Sequence, residues 1–128
     1  RRWLRRAALL HDIGKLGVSN TILDKPGKLD AGEWAKMQQH AALSADILAR
    51  TKVFSDLAEV AAAHHEKLDG SGYPRGLKGD QIALETRIIT VADIFDALTA
   101  DRPYRAAMPA ANSGRPMRSS QARARSTA

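Results

Sequence analysis

Apolar side chains recur at helical spacing in four separate stretches of this 128-residue chain, and that periodicity constrains the fold more than any other feature. No stretch longer than a few residues alternates apolar and polar side chains as a half-buried strand would. Aromatic residues make up only 5% of the chain, a low share for an all-β sandwich. We therefore predict an all-α bundle, with helices at about residues 1–12, 30–50, 55–68 and 84–100.

The second stretch has the clearest start, because Asp30 is followed three residues later by Glu33, the pattern of a capping box. Each stretch should bury its apolar face against the others. The expected inward positions are Trp34, Met37, Ala41, Ser44 and Leu48 in the second stretch, Leu57, Val60, Ala61 and His64 in the third, and Ile88, Val91, Ala92, Phe95 and Leu98 in the fourth.

Composition and charge exclude several classes of protein. The absence of cysteine excludes disulfides and zinc–thiolate sites, and no apolar run approaches the ~18 residues of a transmembrane helix. The net charge is +6, but four arginines lie in residues 1–6 and four in residues 106–128, whereas all 14 acidic residues lie between these ends. We expect a cytoplasmic protein with a slightly acidic body, for which nucleic-acid binding is disfavoured.

The last part of the chain differs in composition from the rest. Residues 106–128 contain no Leu, Ile, Val or Phe and are rich in Arg, Ala and Ser. Such a segment buries too little apolar surface to offset the entropy lost on ordering. We predict one folded domain at residues 1–105 and a disordered tail at 106–128.

The histidines and two aspartates are predicted to point into the bundle. Because burying such groups unpaired is costly, a shared divalent metal ion is an economical way to satisfy them. Their nitrogen and oxygen donors favour iron or manganese over a structural zinc. Taken singly, His40 reads as an ordinary core histidine, and Asp93 with Asp96 as an exposed helix edge. The candidate ligands are His11, Asp12, His40, His64, His65 and Asp93.

Three segments resemble a known family in order and spacing. They are HDIGK at residues 11–15, HHEKLDGSGYP at 64–74 and VADIFDALTADRPYR at 91–105. The first resembles the signature of the HD superfamily of metal-dependent phosphohydrolases, and the other two resemble hallmarks of its HD-GYP branch, over nearly all of residues 3–105. The resemblance implies an HD-domain helical bundle with a metal centre in its core. It also implies a cyclic di-GMP phosphodiesterase with two or three divalent ions, iron or manganese.

The resemblance also implies roles for individual residues. It makes the six candidate ligands metal ligands, with Asp12 as the bridging carboxylate, and makes Asp12 and Lys15 the catalytic residues. It gives Lys15, Arg102 and Arg105 contacts to the substrate's phosphates or guanine. A signature loop would shape the site and contact signalling proteins, and a homodimer is expected of the full-length protein. The loop residues are Glu66, Asp69, Gly70, Gly72, Tyr73 and Pro74.

The chain departs from the family pattern at both ends. It begins ten residues before His11, without the family's upstream ligand segment, and it lacks the family's helices after Arg105. The alternative prediction is therefore a truncated or degenerate module that binds metal, nucleotide or a protein partner without turnover.

Overall fold

The structure, a computed structural model, describes residues 2–100, and Arg1 and residues 101–128 lie outside the described part. The described part contains no strand, only an isolated antiparallel bridge between Asp69 and Lys78, and the prediction of an all-α fold is confirmed. Short 3-10 turns occur at Ile13–Gly17, Ser55–Leu57 and Gly79–Gln81. The α-helices are α1 Arg2–Leu10, α2 Asn20–Leu23, α3 Ala31–Ala49, α4 Ala58–Ala63 and α5 Leu84–Thr99.

Helix α3 is the central element, against which both the turn at Ile13–Gly17 and helix α4 pack. Its capping box forms as predicted: the Asp30 side chain accepts from the Glu33 N–H, and the Glu33 side chain accepts from the Asp30 N–H, both at 2.8 Å. Lys25 Nζ also lies 2.6 Å from the Glu33 carboxylate, which ties the preceding loop to the helix start. Local hydrogen bonds thus fix where the longest helix begins.

Close backbone contact joins the turn at Ile13–Gly17 to helix α3. The Gly14 N–H donates to the buried Ser44 Oγ at 2.8 Å. A Cβ at Gly14 would lie 2.1 Å from the His40 carbonyl oxygen, so only glycine permits this approach. The contact places Asp12, at the start of the turn, beside His40.

The core combines alanines with larger aliphatic side chains. It lies between α1, α3, α4 and α5, and half-buried side chains such as Trp3, Leu10 and Phe54 pack around it. None of the helices in residues 2–100 is long and apolar enough to cross a membrane. The buried cluster comprises Ala7, Leu48, Leu57, Val60, Ala61 and Ile89.

Two helices are shorter than predicted. Helix α1 ends at Leu10 rather than near residue 12, because the chain turns there to bring the Ile13–Gly17 segment against α3. The third stretch begins with the 3-10 turn at Ser55–Leu57, and its α-helical part ends at Ala63.

The predicted inward face of α5 is wrong. Val91 is 66% and Phe95 50% exposed, Ile88 and Ala92 are also exposed, and the helix buries Thr86 and Ile89 instead. On the side of α5 that faces α4, Thr90 Oγ1 lies 2.8 Å from the His64 carbonyl oxygen and 2.9 Å from the Thr86 carbonyl oxygen. Hydrophobicity alone could not identify that face.

Candidate metal centre

Three of the four histidines are oriented by the same local hydrogen bond. The Nδ1 atom of each lies close to the backbone carbonyl three residues earlier: His11 to Ala8 at 2.9 Å, His40 to Met37 at 2.6 Å and His64 to Ala61 at 2.8 Å. Because a carbonyl oxygen only accepts, Nδ1 must carry the proton in each ring. The lone pair of Nε2 is then free to bind a cation.

Asp12 lies between these rings and joins them into one centre. Its Oδ1 is 3.3 Å from His40 Nε2 and 3.5 Å from His64 Nε2, and its Oδ2 is 3.5 Å from His11 Nε2. Asp93, from α5, places Oδ1 3.7 Å from His11 Nε2. All six candidate ligands predicted from the sequence therefore come together, from the turn after α1, from α3, from the end of α4 and from α5.

The ligand atoms form two groups that share one residue. The first contains Asp12, His40, His64 and His65, and the second contains His11, Asp12 and Asp93. Within each group the candidate ligand atoms all lie within 4.8 Å of one another. Asp12 thus presents Oδ1 to His40 and His64 of the first group and Oδ2 to His11 of the second.

The residues present fit a divalent cation. His11 Nε2, Asp12 Oδ1 and His64 Nε2 are buried without a hydrogen-bond partner among the described residues. Unpaired buried acceptors that converge on one another are costly, and a cation between them removes that cost. The donor set is nitrogen and oxygen only, which are ligand atoms of divalent cations.

The charges of the centre also suit metal binding. Burial raises the pKa of Asp12, but its contacts with His40, His64 and Lys15 lower it further, so the carboxyl stays ionised far below its ordinary range. Burial, and then the neighbouring His64 and His40, lower the pKa of His65 to about 3. His65 is therefore the neutral imidazole that a metal ion needs.

Lys15, the predicted phosphate-binding lysine, lies at the edge of this centre. Its Nζ is 2.5 Å from Asp12 Oδ2, and the side chain is partly exposed. The structure thus brings together both residues predicted to be catalytic. Arg102 and Arg105, the other predicted substrate-binding residues, lie outside the described residues.

The predicted signature loop is anchored by Glu66. This carboxylate is only 3% exposed and accepts the Arg75 N–H at 2.7 Å and the Leu77 N–H at 2.8 Å. Gly72 lies so close to the backbone of the histidine segment that a Cβ would be 2.4 Å from Lys67 N. The loop is therefore folded back over the segment from His65 to Lys67, which follows the candidate ligand His64.

Asp69 and Tyr73, two further residues of the predicted signature loop, make defined contacts. Asp69 Oδ1 accepts from Ser71 N–H at 2.8 Å and Ser71 Oγ–H at 2.7 Å, which closes the turn through Gly70. Tyr73, which precedes Pro74, stacks on His65 with ring centroids 4.8 Å apart. Burial, followed by the charges of Asp12 and Asp93, raises the pKa of Tyr73 to about 12, so its hydroxyl keeps its proton.

Sequence reasoning missed the contacts that two residues make with the segments around the centre. Ser44 was assigned only to the apolar stripe of α3, but its hydroxyl accepts the Gly14 N–H. Trp34 was also assigned to that stripe, yet its ring is half-exposed and contacts Tyr73 edge-on, with centroids 6.0 Å apart. The presence of a hydroxyl within an apolar stripe was the one signal in the sequence that Ser44 makes a buried hydrogen bond.

The helical fold and the converging histidines and aspartates define a class of protein, the helical domains built around a His/Asp metal-binding centre. The family model described as the HD domain matches residues 1–125. The chain belongs to the HD domain family, and its 64–74 segment makes it an HD-GYP type.

Curated relatives carry the same region within longer chains. The 3'3'-cGAMP-specific phosphodiesterase 3 of Vibrio cholerae is 72% identical over 109 residues, 85% of this chain and 24% of the relative. The cyclic di-GMP phosphodiesterase of Thermotoga maritima is 48% identical over 105 residues, 80% of this chain and 28% of the relative. The cyclic di-GMP phosphodiesterase response regulator RpfG of Xanthomonas campestris is 44% identical over 108 residues, which are 83% of this chain and 29% of the relative. The chain thus spans about a quarter of the length of the relatives it matches.

Proposed function

We propose that this chain is the catalytic domain of a metal-dependent phosphodiesterase that hydrolyses a cyclic dinucleotide, either cyclic di-GMP or 3'3'-cGAMP. The observation that carries the proposal is the pair of histidine–aspartate groups that share Asp12. The activities for which the relatives are named support the substrate class, and the relative that is 72% identical supports 3'3'-cGAMP alongside cyclic di-GMP.

The ligand residues would hold two or three divalent ions, with iron and manganese as the proposed metals. His11, His40 and His64 present their Nε2 atoms, fixed by the Nδ1 hydrogen bonds. Divalent ions bound there supply Lewis-acid polarisation of the phosphodiester and a more acidic water. Asp12 stays ionised at neutral pH because its neighbours hold its pKa low, and so it offers one oxygen to each group.

The reaction is the addition of one water across a phosphorus–oxygen bond. The water oxygen bonds to phosphorus, the bond from phosphorus to one ribose oxygen breaks, and that oxygen leaves with a proton. The product is a linear dinucleotide, and a second hydrolysis gives mononucleotides. The Lys15 ammonium, which lies beside Asp12 and reaches solvent, is proposed to neutralise the phosphate charge that builds up during attack. The roles of Arg102 and Arg105 stay predictions.

Several wider properties also stay predictions. They are a cytoplasmic location, contacts of the 64–74 loop with signalling proteins, a homodimer of the full-length protein, and the boundary between a folded 1–105 and a disordered 106–128.

Metal loading and hydrolysis assayed together test the proposed function. The chain would be loaded with manganese or with ferrous iron, its metal content measured by elemental analysis, and cyclic di-GMP and 3'3'-cGAMP supplied in parallel. We expect bound metal and hydrolysis of at least one substrate. Asp12→Ala should lose both, whereas Asp46→Ala, which removes an exposed carboxylate paired with Arg50 on α3, should lose neither.

The outcomes separate the two functions left open by the sequence. A metal-loaded chain that hydrolyses neither nucleotide would support the module that binds without turnover. Full metal content in Asp12→Ala would contradict the assignment of the centre itself.

A further inference from the structure

An exposed tryptophan stands at the edge of the candidate metal centre. Trp34, in the first turn of α3, is 47% exposed, although Ala41, Ser44 and Leu48 on the same stripe are buried. Exposing half of an indole ring to water forgoes the stabilisation that its burial would give. The exposed part of the ring is therefore available to a ligand.

The tryptophan is connected to the centre through two rings. Trp34 contacts Tyr73 at 6.0 Å between centroids and an interplanar angle of 81°. Tyr73 stacks on His65 at 4.8 Å and 25°, and His65 Nε2 lies 3.0 Å from His40 Nε2. Trp34 is 47% exposed, so part of the indole remains open to solvent beside this contact. Along the axis of α3, Trp34 and His40 are separated by about 9 Å.

We propose that Trp34, supported by Tyr73, is a stacking platform for one nucleobase of the substrate. The proposal rests on the proposed cyclic dinucleotide function: a substrate whose phosphodiester is held at the centre must place its bases nearby. Aromatic side chains bind bases through their π-faces and tolerate any base. Tyr73 limits the motion of the indole and is itself fixed by the loop that Glu66 anchors.

A platform of this kind makes two quantitative predictions. Loss of one stacking contact should raise KM about 5- to 150-fold, with kcat changed less than about two-fold, since the ring does not touch the reacting phosphate. Because stacking is tolerant of base identity, the increase should be similar for cyclic di-GMP and 3'3'-cGAMP.

The kinetic experiment compares Trp34→Ala and Trp34→Phe with wild type in the 128-residue chain. Trp34→Phe should keep most of the affinity. Ile47→Ala is the matched control, because Ile47 is 36% exposed on the same helix, about 20 Å further along its axis, and should leave KM unchanged. Metal content measured in each variant shows that the centre is still formed.

A binding experiment that does not depend on turnover uses fluorescence. The chain has two tryptophans, so Trp3→Phe leaves Trp34 as the sole emitter. Phosphorothioate analogues of cyclic di-GMP and of 3'3'-cGAMP, added to the manganese-loaded protein, should quench this emission saturably.

The outcomes distinguish this proposal from the proposed function. Saturable quenching without hydrolysis by wild type would support the platform and overturn the phosphodiesterase activity. Hydrolysis by wild type, with no quenching and an unchanged KM in Trp34→Ala, would overturn the platform alone. The absence of both hydrolysis and quenching would overturn both.

Discussion

The contact between Gly14 and helix α3 predicts a large effect from a single methyl group. In Gly14→Ala the new Cβ would lie 2.1 Å from the His40 carbonyl oxygen and 2.4 Å from Ser44 N, whereas ordinary contact begins at 3.4 Å. Both neighbours are backbone atoms in the middle of α3, so they cannot move aside as a side chain would. The turn at Ile13–Gly17 must therefore move away from the helix by more than about 1 Å.

The expected loss of stability follows from two contributions. Overpacking of this kind costs about 1–3 kcal/mol, and stretching the buried hydrogen bond from Gly14 N–H to Ser44 Oγ costs about 0.5–1.5 kcal/mol. We expect the free energy of unfolding to fall by about 2–4 kcal/mol, measured by urea denaturation of the metal-free chain.

The same displacement should weaken metal binding, because Asp12 moves with the turn while His40 stays on the helix. Metal sites tolerate changes in ligand distance of only about 0.2 Å, so a shift above 1 Å between these ligands should lower manganese affinity at least ten-fold. Titration of the folded variant with manganese would measure this.

Gly32→Ala provides the matched control. Its Cβ would meet only Asp30 Oδ1, at 3.4 Å, and its position in the first turn of α3 favours alanine. We expect an unchanged or slightly higher stability. If Gly14→Ala unfolds within 0.5 kcal/mol of wild type, with unchanged manganese affinity, the close approach does not position the centre.

Three further predictions follow from other contacts. Lys15→Ala should keep the wild-type metal content while kcat falls about 100-fold or more, and loss of metal would contradict a role toward phosphate. Glu66→Ala removes the buried carboxylate that accepts the N–H groups of Arg75 and Leu77, so the free energy of unfolding should fall by about 1–3 kcal/mol, and Glu66→Gln should lose less. The hydrogen bond from the Glu33 N–H lowers the pKa of Asp30 below 3.8, so this cap stabilises the fold above that pH and its contribution is lost as pH falls through the lowered value. The stability difference between wild type and Asp30→Asn, measured in urea, should therefore be larger at pH 7 than at pH 2.5, and an equal difference would contradict the reasoning.

Local sequence patterns predicted the features that depend on near neighbours. The capping box of Asp30 and Glu33 depends on residues three apart, and it forms as expected. The helical periods predicted the all-α fold because each is contained within one helix. The convergence of the histidines could be predicted because helical periodicity indicates that they lie at inward faces or helix ends. The family resemblance supplied the rest of the ligand set.

The features that sequence could not supply depend on distant residues. The exposed face of α5 was mistaken for the buried one because Ile88, Val91 and Phe95 are apolar, whereas the helix packs through Thr86 and Ile89, and Thr90 lies against the distant His64 carbonyl. The bond between Gly14 and Ser44 joins residues 30 apart, and no local pattern indicates it. From the sequence alone, a glutamate such as Glu66 is expected to be exposed. Its burial is explained by the two N–H groups that its carboxylate accepts, and these come from residues further along the loop.

The histidine-to-carbonyl bonds make each of these ligands a self-contained unit. His11, His40 and His64 are each oriented by a backbone atom three residues earlier in the same helical turn, not by a side chain from elsewhere in the fold. Substitutions at neighbouring side chains therefore leave the ring's hydrogen-bond acceptor in place. For protein engineering, the portable element is a four-residue helical segment ending in histidine, which brings its own orienting group to a new helical scaffold.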